Sequence, residues 1–106
     1  MKLELRVKGI RLTQKLREHV EERVNFAMGR FSEHVRSVHV YLKDINGPKG
    51  GEDIECQIQA VLAHHGALVI RETKDDPFAA VARASQRASH NLARQIDKLH
   101  TRRRGR

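Results

Sequence analysis

Four stretches of this chain alternate apolar and polar residues one by one, and that rhythm decides how the rest can pack. Leu3, Leu5 and Val7 alternate with Lys2, Glu4, Arg6 and Lys8 up to Gly9, and Val38, Val40 and Leu42 alternate with His39, Tyr41 and Lys43. In a third stretch Ile54, Cys56, Ile58, Ala60 and Leu62 share one face, with Glu55, Gln57, Gln59 and Val61 on the other. In the fourth, Leu68 and Ile70 face the core and Val69 and Arg71 do not. Successive side chains on a strand point to opposite faces, so each strand has one oily side and one wet side. Whatever covers the sheet must cover one side of it only.

Two helical patterns are available to do so. Thr13 offers an N-cap oxygen to a helix whose apolar positions Leu16, Val20, Val24, Ala27 and Phe31 recur at helical spacing, with Gly29 marking its end. Asp75 or Asp76 caps a second helix, with Pro77 at the first position, where a missing N–H is no loss. The run from Asp44 to Gly51 is the strongest loop signal, and His65-Gly66 supplies a short reversal. The element order is strand, helix, three strands, helix. The expected fold class is α+β, a four-stranded sheet with both helices on one face, and the last five elements resemble a double-stranded RNA-binding domain. At 106 residues the chain is one domain, expected over 1–101, with a basic, disordered tail over 102–106.

Charge is distributed unevenly along this frame. The formal net charge is +8, and from Pro77 onward eight Lys and Arg face a single acid, Asp97. Arg83, Arg87, His90, Arg94 and Lys98 stack along one face of the last helix, while Val81, Ala84, Ala88, Leu92 and Leu99 form the opposite, apolar face. Arg102, Arg103, Arg104 and Arg106 extend the charge beyond the helix. On the first helix Lys15, His19, Arg23 and Arg30 flank the apolar stripe, with Glu18, Glu21 and Glu22 on the far side. Side by side, the two helices would present one cationic band. Most basic helix faces are simply solvated, but those usually mix signs in i,i+4 pairs, which this one does not. A one-signed band suits a polyanion, because each cation replaces a counterion condensed on a phosphate.

Other chemistry finds little support. Cys56 is the single cysteine, so no intrachain disulfide or CxxC pair exists, and its place in the alternation makes it a buried small hydrophobe. His64, His65 and Cys56 do not match the spacing of a structural zinc set, and no cofactor is expected. Gly47-Pro48-Lys49-Gly50-Gly51 lacks the spacing of a P-loop and reads as a hairpin connection. Ser85 and Ser89 have no base beside them in the pattern, so catalysis is not expected. There is no apolar run of membrane-spanning or secretory type, which points to the cytoplasm. Phe26, Phe31 and Phe78 read as core, leaving Tyr41 as the other aromatic; base stacking is then disfavoured and structured RNA preferred over a single strand.

Three segments carry a family likeness. Leu12-Thr13-Gln14-Lys15-Leu16-Arg17-Glu18, Val38-His39-Val40-Tyr41-Leu42-Lys43 and Asp76-Pro77-Phe78-Ala79-Ala80-Val81, in that order and followed by a basic helix, resemble the family of ribosome hibernation promoting factor and ribosome-associated inhibitor A. The likeness is to a divergent branch of the short form, which lacks the second domain of the long form. It implies a stress-related translation inhibitor that binds the RNA of the small ribosomal subunit near the decoding centre and blocks mRNA and tRNA. It also implies that Arg17, Arg23, Arg87, His90, Arg94 and Lys98 meet that RNA. The competing reading is a regulatory module that docks a protein partner through the open sheet face, including Tyr41, Gln57 and Gln59.

Overall fold

In the computed structural model the described residues are 1–46, 53–64 and 66–104, with side chains as far as Lys98. Strand β1 (Lys2–Lys8) leads into helix α1 (Gln14–Met28), then β2 (Val35–Asp44), β3 (Ile54–Leu62), β4 (Ala67–Lys74) and helix α2 (Pro77–Arg104). The strands lie side by side in chain order. β2, β3 and β4 form an antiparallel meander, whereas β1 runs parallel to β2, with Leu5 opposite Val40. Parallel neighbours need a crossover, and α1 is that crossover.

Local chemistry sets the helix ends. Thr13 Oγ1 accepts from the Leu16 N–H at 3.1 Å, and Asp76 Oδ1 accepts from the Ala79 N–H at 3.1 Å. Pro77 follows as the first residue of α2. Gly29 closes α1 as expected, but in a right-handed conformation (φ −56°), and the chain tightens into a 3-10 turn over Gly29–Phe31. The glycine that needs its freedom is Gly9, at φ 72°, where an added Cβ would lie 3.3 Å from Asp44 Cβ. α2 stays helical to Arg104, past the boundary at 101 that the sequence suggested. The last three arginines of that helix therefore continue it rather than follow it.

Both helices pack on the same face of the sheet. Leu16, Val20, Val24 and Met28 of α1 and Val81, Ala84, Ala88 and Leu92 of α2 meet Val38, Val40, Leu42, Cys56, Ile58 and Ala60 in one core. The alanines of α2 let the helix backbone approach the sheet closely. Cys56 sits inside this core, where burial, and secondarily the charge of Glu55, pushes its thiol up to about 12.

The aromatic expectation fails at two positions. Phe31 is buried, but Phe78 is 39% exposed and Phe26 is 86% exposed. Phe26 is two residues from both Val24 and Met28, which places it about 200° around the helix from the buried stripe. Position on the helix overrides residue type.

Candidate functional site

The outer surface where α1 and α2 lie side by side gathers most of the expected cations. A cleft of about 780 Å³ between the helices is lined by Arg23 and Arg30 of the α1 end and by Arg83 and His90 of α2. Beside it a shallower depression of about 610 Å³ brings Arg30 together with Arg83, Arg87, His90 and Arg94. The two share Arg30, Arg83 and His90, so they form one continuous band. This is the juxtaposition that the helix patterns anticipated.

The cations of the band are held differently. Arg30 places its Cζ 4.6 Å from the ring centre of Phe31, a cation–π contact that fixes the side chain without neutralising it. Arg83 donates from Nη1 to Gln86 Oε1 at 3.2 Å, and Arg94 donates to Asn91 Oδ1. Those partners are neutral. Arg87 is the exception: its Nη1 donates to Glu72 Oε2 at 2.7 Å and to the carbonyl of Arg71 at 2.9 Å. Among the described residues it is the one member of the band with a carboxylate in salt-bridge range. Its charge is locally balanced, and its Nε and Nη2 hydrogens remain for another acceptor.

Four other expected positions are placed as follows. Lys15 is exposed on the same flank of α1, two turns before Arg23, and Lys98 is exposed on α2 one turn beyond Arg94. Neither lines the two depressions. Arg17 is exposed but about 120° around α1 from Arg23, on the other side of the buried stripe. His19 leaves the band: its Nε2 donates to the carbonyl of Phe78 at 3.0 Å and its ring meets Phe78 edge-on at 5.0 Å, joining α1 to the start of α2. The side chains of Arg102, Arg103 and Arg104 lie outside the described residues, as do the Gly47–Gly51 loop and His65.

The sequence pattern missed Phe26, Ser85, Gln86 and Ser89, which line the cleft with the arginines. For Phe26 the signal was its phase, half a turn from Val24 and Met28. No comparable signal marked Ser85, which stands next to Ala84 in an apolar stripe.

The open face of the sheet is also polar but more self-contained. The His39 ring nitrogens lie 3.1 Å from Glu4 Oε2 and 3.2 Å from Ser37 Oγ, and Arg71 donates from Nε to Gln57 Oε1 at 3.0 Å. No group of metal-binding side chains is found among the described residues, and no helix there is long and apolar enough to cross a membrane.

Residues 3–104 match the family model described as sigma 54 modulation protein / S30EA ribosomal protein. The chain belongs to this family. The hibernation-factor resemblance of the three sequence segments is thereby borne out. Two solved structures share the fold of this family member. The N-terminal domain of Protein Y from Thermus thermophilus is 22% identical, with a TM-score of 0.73 over 89% of this chain and 98% of that one. A ribosomal subunit interface protein from Coxiella burnetii is 13% identical, with a TM-score of 0.76 over 92% and 99%. No curated protein matches by sequence.

Proposed function

We propose that this family member is a ribosome-associated translation inhibitor that binds the RNA of the small subunit with its α1/α2 face. Seated near the decoding centre, it would occupy the ground of mRNA and tRNA under stress and silence the ribosome by exclusion, with no catalytic step. The observation that carries the reading is the convergence of Arg23, Arg30, Arg83 and Arg94 on one face with no carboxylate against them among the described residues. Such cations gain by displacing condensed counterions. The sheet face supports protein docking less well, because Glu4, His39, Gln57 and Arg71 are already paired with one another.

The test is binding to purified small subunits across a salt series, followed by competition with mRNA. If about five phosphates are neutralised, log K falls against log [salt] with a slope of roughly −3.5 to −4.5. A slope near zero would remove the electrostatic mechanism. Simultaneous binding of protein and mRNA would remove the exclusion.

A further inference from the structure

Phe26 is unexplained by phosphate binding. Its ring is 86% exposed, yet it lines the α1/α2 cleft beside Arg23 and Arg30. Arg83 and His90 complete the basic rim, and the remainder of the lining is small or neutral, with Ala27, Ala79 and Ala82 supplying apolar surface. Ser85 lines the same cleft, is 2% exposed, and its Oγ has no hydrogen-bond partner among the described residues. A buried hydroxyl left without a partner costs stability and is uncommon in folded proteins. Among the described residues no carboxylate lines the cleft.

An aromatic and alanine surface rimmed by guanidiniums fits one kind of occupant: a flat apolar ring with anions on either side. We propose that the cleft receives a single unpaired nucleobase of the bound RNA. The base stacks on Phe26, its flanking phosphates meet Arg23, Arg30 and Arg83, and Ser85 or Gln86 hydrogen-bonds its edge. This rests on RNA being the ligand of the α1/α2 face, and adds that the RNA is read where it is irregular. A fully paired helix keeps its bases stacked inside and offers only phosphates and 2′-hydroxyls. A volume of about 780 Å³ is in the range of ligand clefts and ample for one nucleotide. The earlier expectation that stacking is disfavoured counted Phe26 in the core, which it is not.

The experiment titrates the full chain against two RNA hairpins with the same stem, one fully paired and one carrying a single unpaired adenosine, followed by fluorescence anisotropy. The bulged hairpin should bind roughly 5- to 150-fold more tightly, the range expected for one base on one aromatic ring. Phe26→Ala should erase that preference while leaving affinity for the paired hairpin unchanged, and Phe26→Trp should retain it. Because the ring is exposed, both variants should keep the wild-type circular dichroism spectrum. Equal binding of the two hairpins by the wild type, or a preference that survives Phe26→Ala, overturns the base cleft while leaving RNA binding standing. Failure of the wild type to bind either hairpin or small subunits overturns both readings. A Phe26→Ala change that alters only a monomer–dimer equilibrium in sedimentation assigns the cleft to a second copy of the chain and overturns the proposal.

Discussion

Arg87 on α2 and Glu72 on β4 form a 2.7 Å ion pair at the margin of the cationic band, with Glu72 the more buried partner. The acid holds the last helix to the edge strand and cancels one positive charge of the surface. Glu72→Gln should therefore move two properties in opposite directions. Stability should fall by about 0.5–1.5 kcal/mol through the weakened helix–strand bond. Affinity for small subunits should rise, and the salt slope should steepen by up to about 0.7–0.9 as Arg87 becomes available to a phosphate. Thermal melts and the salt titration together check this; weaker binding in the variant would mean that Arg87 serves only the fold.

Among the described residues Arg83 and Arg94 bond only to neutral side chains, so reversing them leaves no carboxylate there unpaired. Arg83→Glu with Arg94→Glu should shift stability by no more than about 0.5 kcal/mol, as exposed substitutions usually do. Two phosphate contacts should disappear, flattening the salt slope by roughly 1.4–1.8. Wild-type binding by the folded double variant would exclude this face as the contact.

Gly9→Ala tests the backbone after β1. A left-handed residue with a Cβ costs about 1–2 kcal/mol, and here the new Cβ would also crowd Asp44 at 3.3 Å. The melting temperature should drop while binding by the remaining folded protein is unchanged. An unaltered melt would mean that the turn relaxes into another conformation.

Cys56 gives a pH dependence of known sign. Its thiol is held up to about 12 in the fold, above its ordinary value of 9.0, so the folded state keeps the proton longer than the unfolded chain does. Stability from this group is complete below about pH 9 and declines as the pH rises toward 12. The stability difference between wild type and Cys56→Ala should shrink over that window. In the native protein at pH 8 the thiol should not react with a disulfide reagent, and it should react at once after denaturation. Prompt native reactivity would contradict its placement in the core.

The parts of this fold legible in the sequence are those set by local rules. Period-two alternation put Cys56, Ile58 and Ala60 on the buried face, and Thr13, Asp76 and Pro77 announced the helix starts through their own backbone chemistry. What escaped depended on other elements or on competing rules. Glu72 lies on a different element from Arg87, and no spacing rule pairs them. Phe26 was assigned inward from its apolar ring, although its phase turned it outward. The end of α2 was set too early because arginine is a good helix former, and the first breaker is Gly105. For the candidate site, the helix patterns brought Arg23, Arg30, Arg83, His90 and Arg94 to one band, whereas the cleft floor arises only when the two helices are packed.

The parallel pairing of β1 with β2 bears on the order of assembly. Lys2 finds its partner at Ser37, across the whole of α1, while the meander from β2 to β4 joins neighbours in sequence. Contacts across a long stretch of chain carry a larger closure entropy and tend to form late. On a growing chain β1 is made before its partner, and must wait for α1 and β2 before it can dock. The meander is thus expected to nucleate folding, with β1 closing the sheet late. Substitutions in Leu3 or Leu5 should then chiefly speed unfolding, whereas those in the paired Ile58 or Ile70 should slow folding itself.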